Sequence, residues 1–179
     1  MKVAILIEVG SSRSKWSNLA RRLMKRARSM VSPRDKRVRA WNFANWGDEF
    51  PVDVALGEAE PQNFDALLPP GGVMSPDRLR MQPDAVAFAK AFFEAGKPVA
   101  AICHGPWTVI EAGAARGRRL ASWPSLTADP RNAGAEWMNQ EIVTDGNLVS
   151  SRKPDDTPAF NRGTIELFSR PRAAASQAA

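Results

Sequence analysis

Pro98-Val99-Ala100-Ala101-Ile102-Cys103-His104-Gly105-Pro106 carries the chain's single cysteine and single histidine at the end of a short apolar run. A continuous run of small and β-branched residues is the pattern of a parallel strand buried on both faces. Gly105-Pro106 then opens a helical pattern over residues 107–115, so the stretch reads as strand, sharp turn and helix. Ligands in open α/β sheets sit beyond the carboxyl ends of the strands, which puts Cys103 where such folds do chemistry. A free thiol titrates near about 8.5, and a helix N-terminus or a neighbouring cation lowers this to roughly 3.5–7.5 by stabilising the thiolate. A strand-to-helix elbow also pushes its side chain out of a tight turn. The alternative for an isolated cysteine is a small buried hydrophobe. Cys-His-Gly-Pro directly after a core strand favours the nucleophile.

Upstream, residues 63–68 read as a second buried strand running into Pro69-Pro70-Gly71-Gly72, and Ser75-Pro76-Asp77 reads as a helix start. Pro83 opens a clearer helix that Gly96 closes. Residues 2–8 read as a first buried strand. Over residues 11–30, Trp16, Leu19, Leu23, Ala27 and Met30 recur at three- and four-residue steps, the pattern of an amphipathic helix. Residues 37–42 and 52–56 read as short strands on either side of a Trp46-Gly47-Asp48 turn, forming a peripheral β-hairpin. Downstream, residues 122–132 read as irregular, and residues 141–144 and 148–151 as a hairpin around Asp145-Gly146-Asn147. Residues 158–168 read as a last helix with Phe160, Ile165 and Phe168 facing inward. This βαβα alternation predicts a doubly wound α/β sheet.

With 179 residues and 44% hydrophobic content, the chain is expected to form one domain over residues 1–170, with a disordered tail at 171–179. One cysteine excludes an internal disulfide framework, so a reducing cytoplasm is the expected location. No apolar run approaches a membrane span, and the strand-like residues 3–7 are too short for a signal-peptide core. One Cys beside one His cannot close a tetrahedral metal site. No metal and no cofactor are expected.

The net charge of +6 is unevenly placed. Between Val9 and Arg34 there is no Asp or Glu, while Arg13, Lys15, Arg21, Arg22, Lys25, Arg26 and Arg28 crowd together. A basic amphipathic helix can hold nucleic acid or lie on an anionic membrane. The commoner arrangement packs one face on the sheet and leaves the charges solvated, so no specific nucleic-acid or membrane partner is expected.

Ala101-Ile102-Cys103-His104-Gly105-Pro106 resembles the PfpI-type intracellular proteases. Their superfamily, with a class I glutamine amidotransferase-like fold, also holds DJ-type stress proteins and glyoxalase and deglycase enzymes. Further matching stretches are Phe64-Asp65-Ala66-Leu67-Leu68, Gly71-Gly72, Arg118-Arg119-Leu120, Asn132-Ala133-Gly134-Ala135-Glu136-Trp137, Asp145-Gly146-Asn147-Leu148-Val149 and Ser151-Arg152-Lys153-Pro154-Asp155-Asp156. The resemblance implies a flavodoxin-like three-layer α/β/α sandwich that assembles as a homodimer or a hexamer of dimers. It implies Cys103 as nucleophile and His104 as general base. Asp77, supplied by a neighbouring copy, would orient that histidine, although a plain acid in a helix's first turn would look the same. The N–H groups of Gly72 and His104 would form the oxyanion hole. Glutamine amidotransfer itself is disfavoured, because it needs a distant second histidine and the chain has one histidine.

The resemblance implies a cysteine-nucleophile hydrolase acting on a peptide or on α-oxoaldehydes and their glycation adducts. Of these, a small accessible carbonyl substrate is expected. The other classes are a redox-sensing or chaperone-like stress protein using the same cysteine, and binding through the basic helix.

The chain departs from the family after its first strand. The family's Gly-Phe-Glu motif, whose glutamate hydrogen-bonds the nucleophilic sulfur, is replaced by Gly10-Ser11-Ser12. Loss of that carboxyl at Ser12 is expected to impair activity. Back-translated with GC-rich codons and read one base earlier, residues 10–30 give GFEQVEVVEPREALDEAGAQH and rejoin the frame at Val31-Ser32-Pro33. The basic segment is therefore expected to be a compensated frameshift, and the shifted reading would turn the net charge from +6 to about −6. Resequencing the gene across codons 9–31 should show codons that give the family motif in the shifted frame. A clean read with unrelated codons would remove the frameshift reading.

Overall fold

Short apolar runs become buried strands here, and amphipathic runs become the helices that cover them. A computed structural model describes residues 1–11, 28–33, 36–42 and 44–170. In order, the elements are β1 (Val3–Leu6), β2 (Arg28–Ser32), β3 (Arg37–Asn42), β4 (Asn45–Pro51), β5 (Val54–Ala55), β6 (Ala66–Leu68), α1 (Met74–Arg80) and α2 (Pro83–Glu94). There follow β7 (Val99–Ile102), α3 (Pro106–Glu111), β8 (Arg119–Leu120), α4 (Ala128–Asn132), β9 (Glu136–Trp137), β10 (Val143–Asp145), β11 (Leu148–Ser151) and α5 (Thr157–Phe168).

The main sheet has seven strands in the order β10-β11-β7-β6-β1-β2-β5. Every neighbouring pair is parallel except β10 with β11. Side chains alternate across it as strand geometry requires. Ala4, Leu6, Leu67, Val99 and Ala101 pack with Leu79 of α1, Phe88 and Phe92 of α2 and Val109 of α3. Val3, Ile5, Leu68, Ala100 and Ile102 pack with Phe160, Leu167 and Phe168 of α5 on the opposite face. Each of these buried large side chains contributes about 1.5–3 kcal/mol of transfer free energy, so both faces hold the sheet firmly. The result is the three-layer, mostly parallel α/β/α sandwich that the sequence predicts. Parallel strands align their carboxyl ends, so the loops after β1, β6, β7 and β11 gather at one edge.

Four expectations change. The helix expected over residues 11–30 ends as a strand, because Arg28–Ser32 pairs with β1; residues 12–27 lie outside the described residues, with most of the basic segment and Ser12. The peripheral hairpin pairs β3 with β4, so Trp46-Gly47-Asp48 lies within a strand. Val54–Ala55 joins the main sheet as an edge strand instead. The reason is a cap: the Asp53 carboxylate accepts from the Met30 N–H at 2.7 Å and draws that segment to β2. Residues 122–132, expected irregular, contain a 3-10 turn at Pro124–Leu126 and α4. On α5, Ile165 is exposed, since the buried stripe runs through Phe160, Thr164, Leu167 and Phe168 at helical spacing. The tail at 171–179 also lies outside the described residues.

Candidate active site

Beyond Ile102 the chain must leave a buried strand and enter α3 at once. Cys103 does this at φ +65°, the one positive φ outside glycine among the described residues. For a residue with a Cβ this region costs roughly 1–2 kcal/mol. Backbone bonds hold it there. The Cys103 N–H donates to Ser151 O at 3.0 Å, and Cys103 O accepts from the Trp123 N–H at 2.9 Å. The Gly105 N–H donates to Ile102 O at 2.9 Å and the Trp107 N–H to His104 O at 3.0 Å, which start the helix.

Two glycines make the elbow possible. A Cβ at Gly105 would stand 2.5 Å from Pro69 O. Gly71 lies at φ +83°, and a Cβ there would collide with Ile102 O and sit 3.1 Å from Cys103 Cβ. The loop after β6 is thus laid directly against the cysteine. Gly72 continues it at φ +91°.

The sulfur of Cys103 stands 3.1 Å from His104 Nδ1, and both residues are buried. Sequence neighbours rarely face each other; here the left-handed turn brings them together. Two indoles flank the imidazole: Trp107 meets it edge-on at 5.0 Å and Trp123 lies nearly parallel at 6.0 Å. The Trp107 Nε1–H donates to Asp129 Oδ2 at 2.6 Å, and the Arg80 guanidinium covers the same ring at 4.5 Å. Arg80 also donates from Nε to Asp77 Oδ1 at 3.1 Å, and its Nη2 stands 3.0 Å from the same oxygen in an ion pair. Both partners are substantially exposed, and such pairs contribute only about 0.2–1 kcal/mol, so this one matters for geometry more than for stability.

Of the residues singled out in the sequence, Cys103 and His104 are brought together, and Gly72 lies in the loop whose preceding glycine touches the cysteine. Asp77 sits in α1 held by Arg80, and among the described residues no hydrogen bond joins it to His104. Trp107, Trp123, Arg80 and Asp129 were not signalled as site residues. The Asp77 and Arg80 spacing was readable as a helical i,i+3 pair; nothing local marks Trp123.

The loop after β1 is fastened to the same edge. Glu8 is buried; its N–H donates to Ser75 Oγ at 2.9 Å, and its carboxylate accepts from Gln82 Nε2 at 3.2 Å. The Ser11 hydroxyl donates to Gly71 O at 3.4 Å. Beyond β11, Arg152 donates to both oxygens of Asp156, and that bond raises its pKa against the opposing effect of desolvation. The guanidinium therefore stays charged, one residue beyond the carbonyl that anchors Cys103.

A buried parallel strand ending in a cysteine elbow, with histidine against the sulfur, defines the class of α/β proteins built around a nucleophile elbow. The DJ-1/PfpI family matches this chain over residues 1–167, and the chain belongs to that family. It is 50% identical over 117 residues to a deglycase of Pyrococcus abyssi, covering 65% of this chain and 70% of that protein. It is 39% identical over 168 residues to protein/nucleic acid deglycase 2 of Escherichia coli, covering 93% of this chain and 97% of that one. The crystal structure of a two-domain protein from Anabaena variabilis, with DJ-1/ThiJ/PfpI-like and ferritin-like domains, superposes with TM-score 0.84 at 32% identity. The match covers 92% of this chain and 47% of that one.

The close approach at Gly71 gives a direct test. Gly71→Ala should destabilise the protein by about 1–3 kcal/mol, as expected for a side chain forced into a glycine-only backbone region, and should slow alkylation of Cys103 by iodoacetamide. Denaturant unfolding and labelling rates measure both; a variant indistinguishable from the parent would contradict the described packing.

Proposed function

We propose that the protein is a cysteine-dependent hydrolase of the PfpI type acting on α-oxoaldehydes and their early adducts with amines and thiols. The observation that carries this is the 3.1 Å contact between Cys103 Sγ and His104 Nδ1 at a strained elbow. In this reading His104 takes the thiol proton through Nδ1, and the sulfur adds to the aldehyde carbon, giving a hemithioacetal. The developing oxyanion meets the N–H groups of Gly72 and His104, where fixed donors stabilise charge as it forms. His104 returns the thiol proton to that oxyanion, then takes the proton from the former aldehyde carbon and delivers it to the adjacent carbonyl carbon through an enediol, while the hydroxyl proton passes to the neighbouring oxygen, leaving a 2-hydroxy thioester. Water hydrolyses this ester to a 2-hydroxy acid and returns the thiol. No oxidant or cofactor is needed for the sequence to balance.

Both relatives named above are called deglycases, which supports a carbonyl substrate over a peptide. We assign the orienting acid to Asp77 of a second copy, in a homodimer or a hexamer of dimers. Its support is that Asp77 is half-exposed and engages Arg80 within its own chain through Oδ1, with no hydrogen bond to Oδ2 among the described residues. A reducing cytoplasm suits a free thiol.

Glyoxal turnover to glycolate, run beside a fluorogenic peptide assay, tests the proposal. The parent protein should form glycolate, C103S should form none, and His104→Ala should lose about 100-fold or more, the usual worth of a positioned base. Peptide cleavage without glyoxal turnover would overturn the carbonyl assignment in favour of peptidase activity. Neither activity, with Cys103 oxidised readily to a sulfinate, would overturn it in favour of a redox sensor.

A further inference from the structure

The Arg80 side chain touches neither member of the Cys103 and His104 pair, yet it sits between two groups that bear on that pair. Below it is the indole of Trp107, fixed by the Asp129 carboxylate at 2.6 Å and in edge contact with His104. The guanidinium carbon stands over that indole, 4.5 Å from its centre. An indole pinned at its nitrogen is a rigid platform, and a guanidinium drawn to its face by cation–π attraction loses freedom to swing. From this platform Nε donates to Asp77 Oδ1 at 3.1 Å, and Nη2 lies 3.0 Å from the same oxygen. A carboxylate facing an arginine fork ordinarily accepts with both oxygens. Here the Nε hydrogen bond and the short Nη2 contact both fall on Oδ1, and Oδ2 makes no hydrogen bond among the described residues.

We infer that Arg80 is a positioning residue for the reaction: laid on the Trp107 platform, it fixes the rotamer of Asp77 so that Oδ2 is presented to His104 of a second copy. The inference rests on the assignment of Asp77 as the orienting acid in trans. The relay runs from Asp129 through Trp107 and Arg80 to Asp77, and every link is a hydrogen bond, an ion pair or a ring contact. A half-exposed aspartate without this clamp would sample several rotamers and hold the partner's imidazole only part of the time.

The test is a double-mutant cycle on the full chain, with methylglyoxal turnover as the readout. R80M keeps most of the stem that packs on Trp107 and removes the fork. It should lower kcat about 10-fold to 100-fold, the scale set by misplacing a catalytic group, and leave KM within about twofold, the pattern of a residue that acts through Asp77 and not on bound substrate. D77N should lose a similar amount. The double variant should be no slower than D77N, because Arg80 acts only through Asp77. R80K should recover part of the R80M loss, and it carries the comparison if thermal melting shows that R80M does not fold. Additive losses in the double variant, or R80M at parental kcat while D77N is slow, would overturn the inference and leave the acid assignment standing. D77N at parental kcat, with C103S inactive, would remove the acid assignment and this inference with it.

Discussion

Two hydrogen bonds, from the Cys103 N–H to Ser151 O and from the Trp123 N–H to Cys103 O, clamp the backbone of one residue from both sides. Between them Cys103 is held at φ +65°, a conformation that a residue with a side chain avoids. Ser151 ends the neighbouring parallel strand and Trp123 begins the segment after β8, so the clamp needs the sheet to be assembled first. The site is therefore a product of tertiary structure, even though its two chemical groups are adjacent in sequence. Once formed, the turn leaves no room for a side chain at Gly71 or Gly105, which explains the glycines that bracket the cysteine on two loops.

Around that turn the chain builds aromatic walls where a hydrophilic pocket would let the imidazole wander. Trp107 and Trp123 both contact the His104 ring, and Trp107 is itself fixed by Asp129 and Arg80. The loop after β1 closes the arrangement through Ser11 and the buried Glu8. In sequence this loop leads into the basic segment. The Ser11 hydroxyl donates to the Gly71 carbonyl and so ties this loop to the one after β6.

The elbow was legible in the sequence because both of its signals are local: an unbroken apolar strand at Val99–Ile102 and the Gly-Pro that starts a helix. The layers followed from the alternation of such strands with amphipathic helices. The hairpin was misread because Trp46-Gly47-Asp48 has local turn chemistry. Pairing overrides it, through the edge-on contact of Trp41 with Trp46 at 5.3 Å and the ion pair of Arg37 with Glu49. Arg28–Met30 was misread for a similar reason, since helical spacing extends into residues that β1 recruits as its neighbour. In the site, Cys103 and His104 could be named from their surroundings in the chain. Trp123 and Asp129 could not, because what matters is their contact with α3 and the elbow, which no local pattern encodes. Arg80 was visible only as a helical partner for Asp77; its place on Trp107 depends on how α1 packs against α3.

In the proposed reaction Cys103 forms a covalent bond to the carbonyl carbon of the substrate during turnover. Acid-quenching the protein while it turns over methylglyoxal, followed by intact mass and peptide mapping, addresses it directly. One substrate equivalent should appear on the peptide containing Cys103, rising and decaying with formation of the hydroxy acid and absent in C103S. Turnover at full rate with Cys103 unmodified throughout, or with label confined to lysine and arginine side chains, would contradict it.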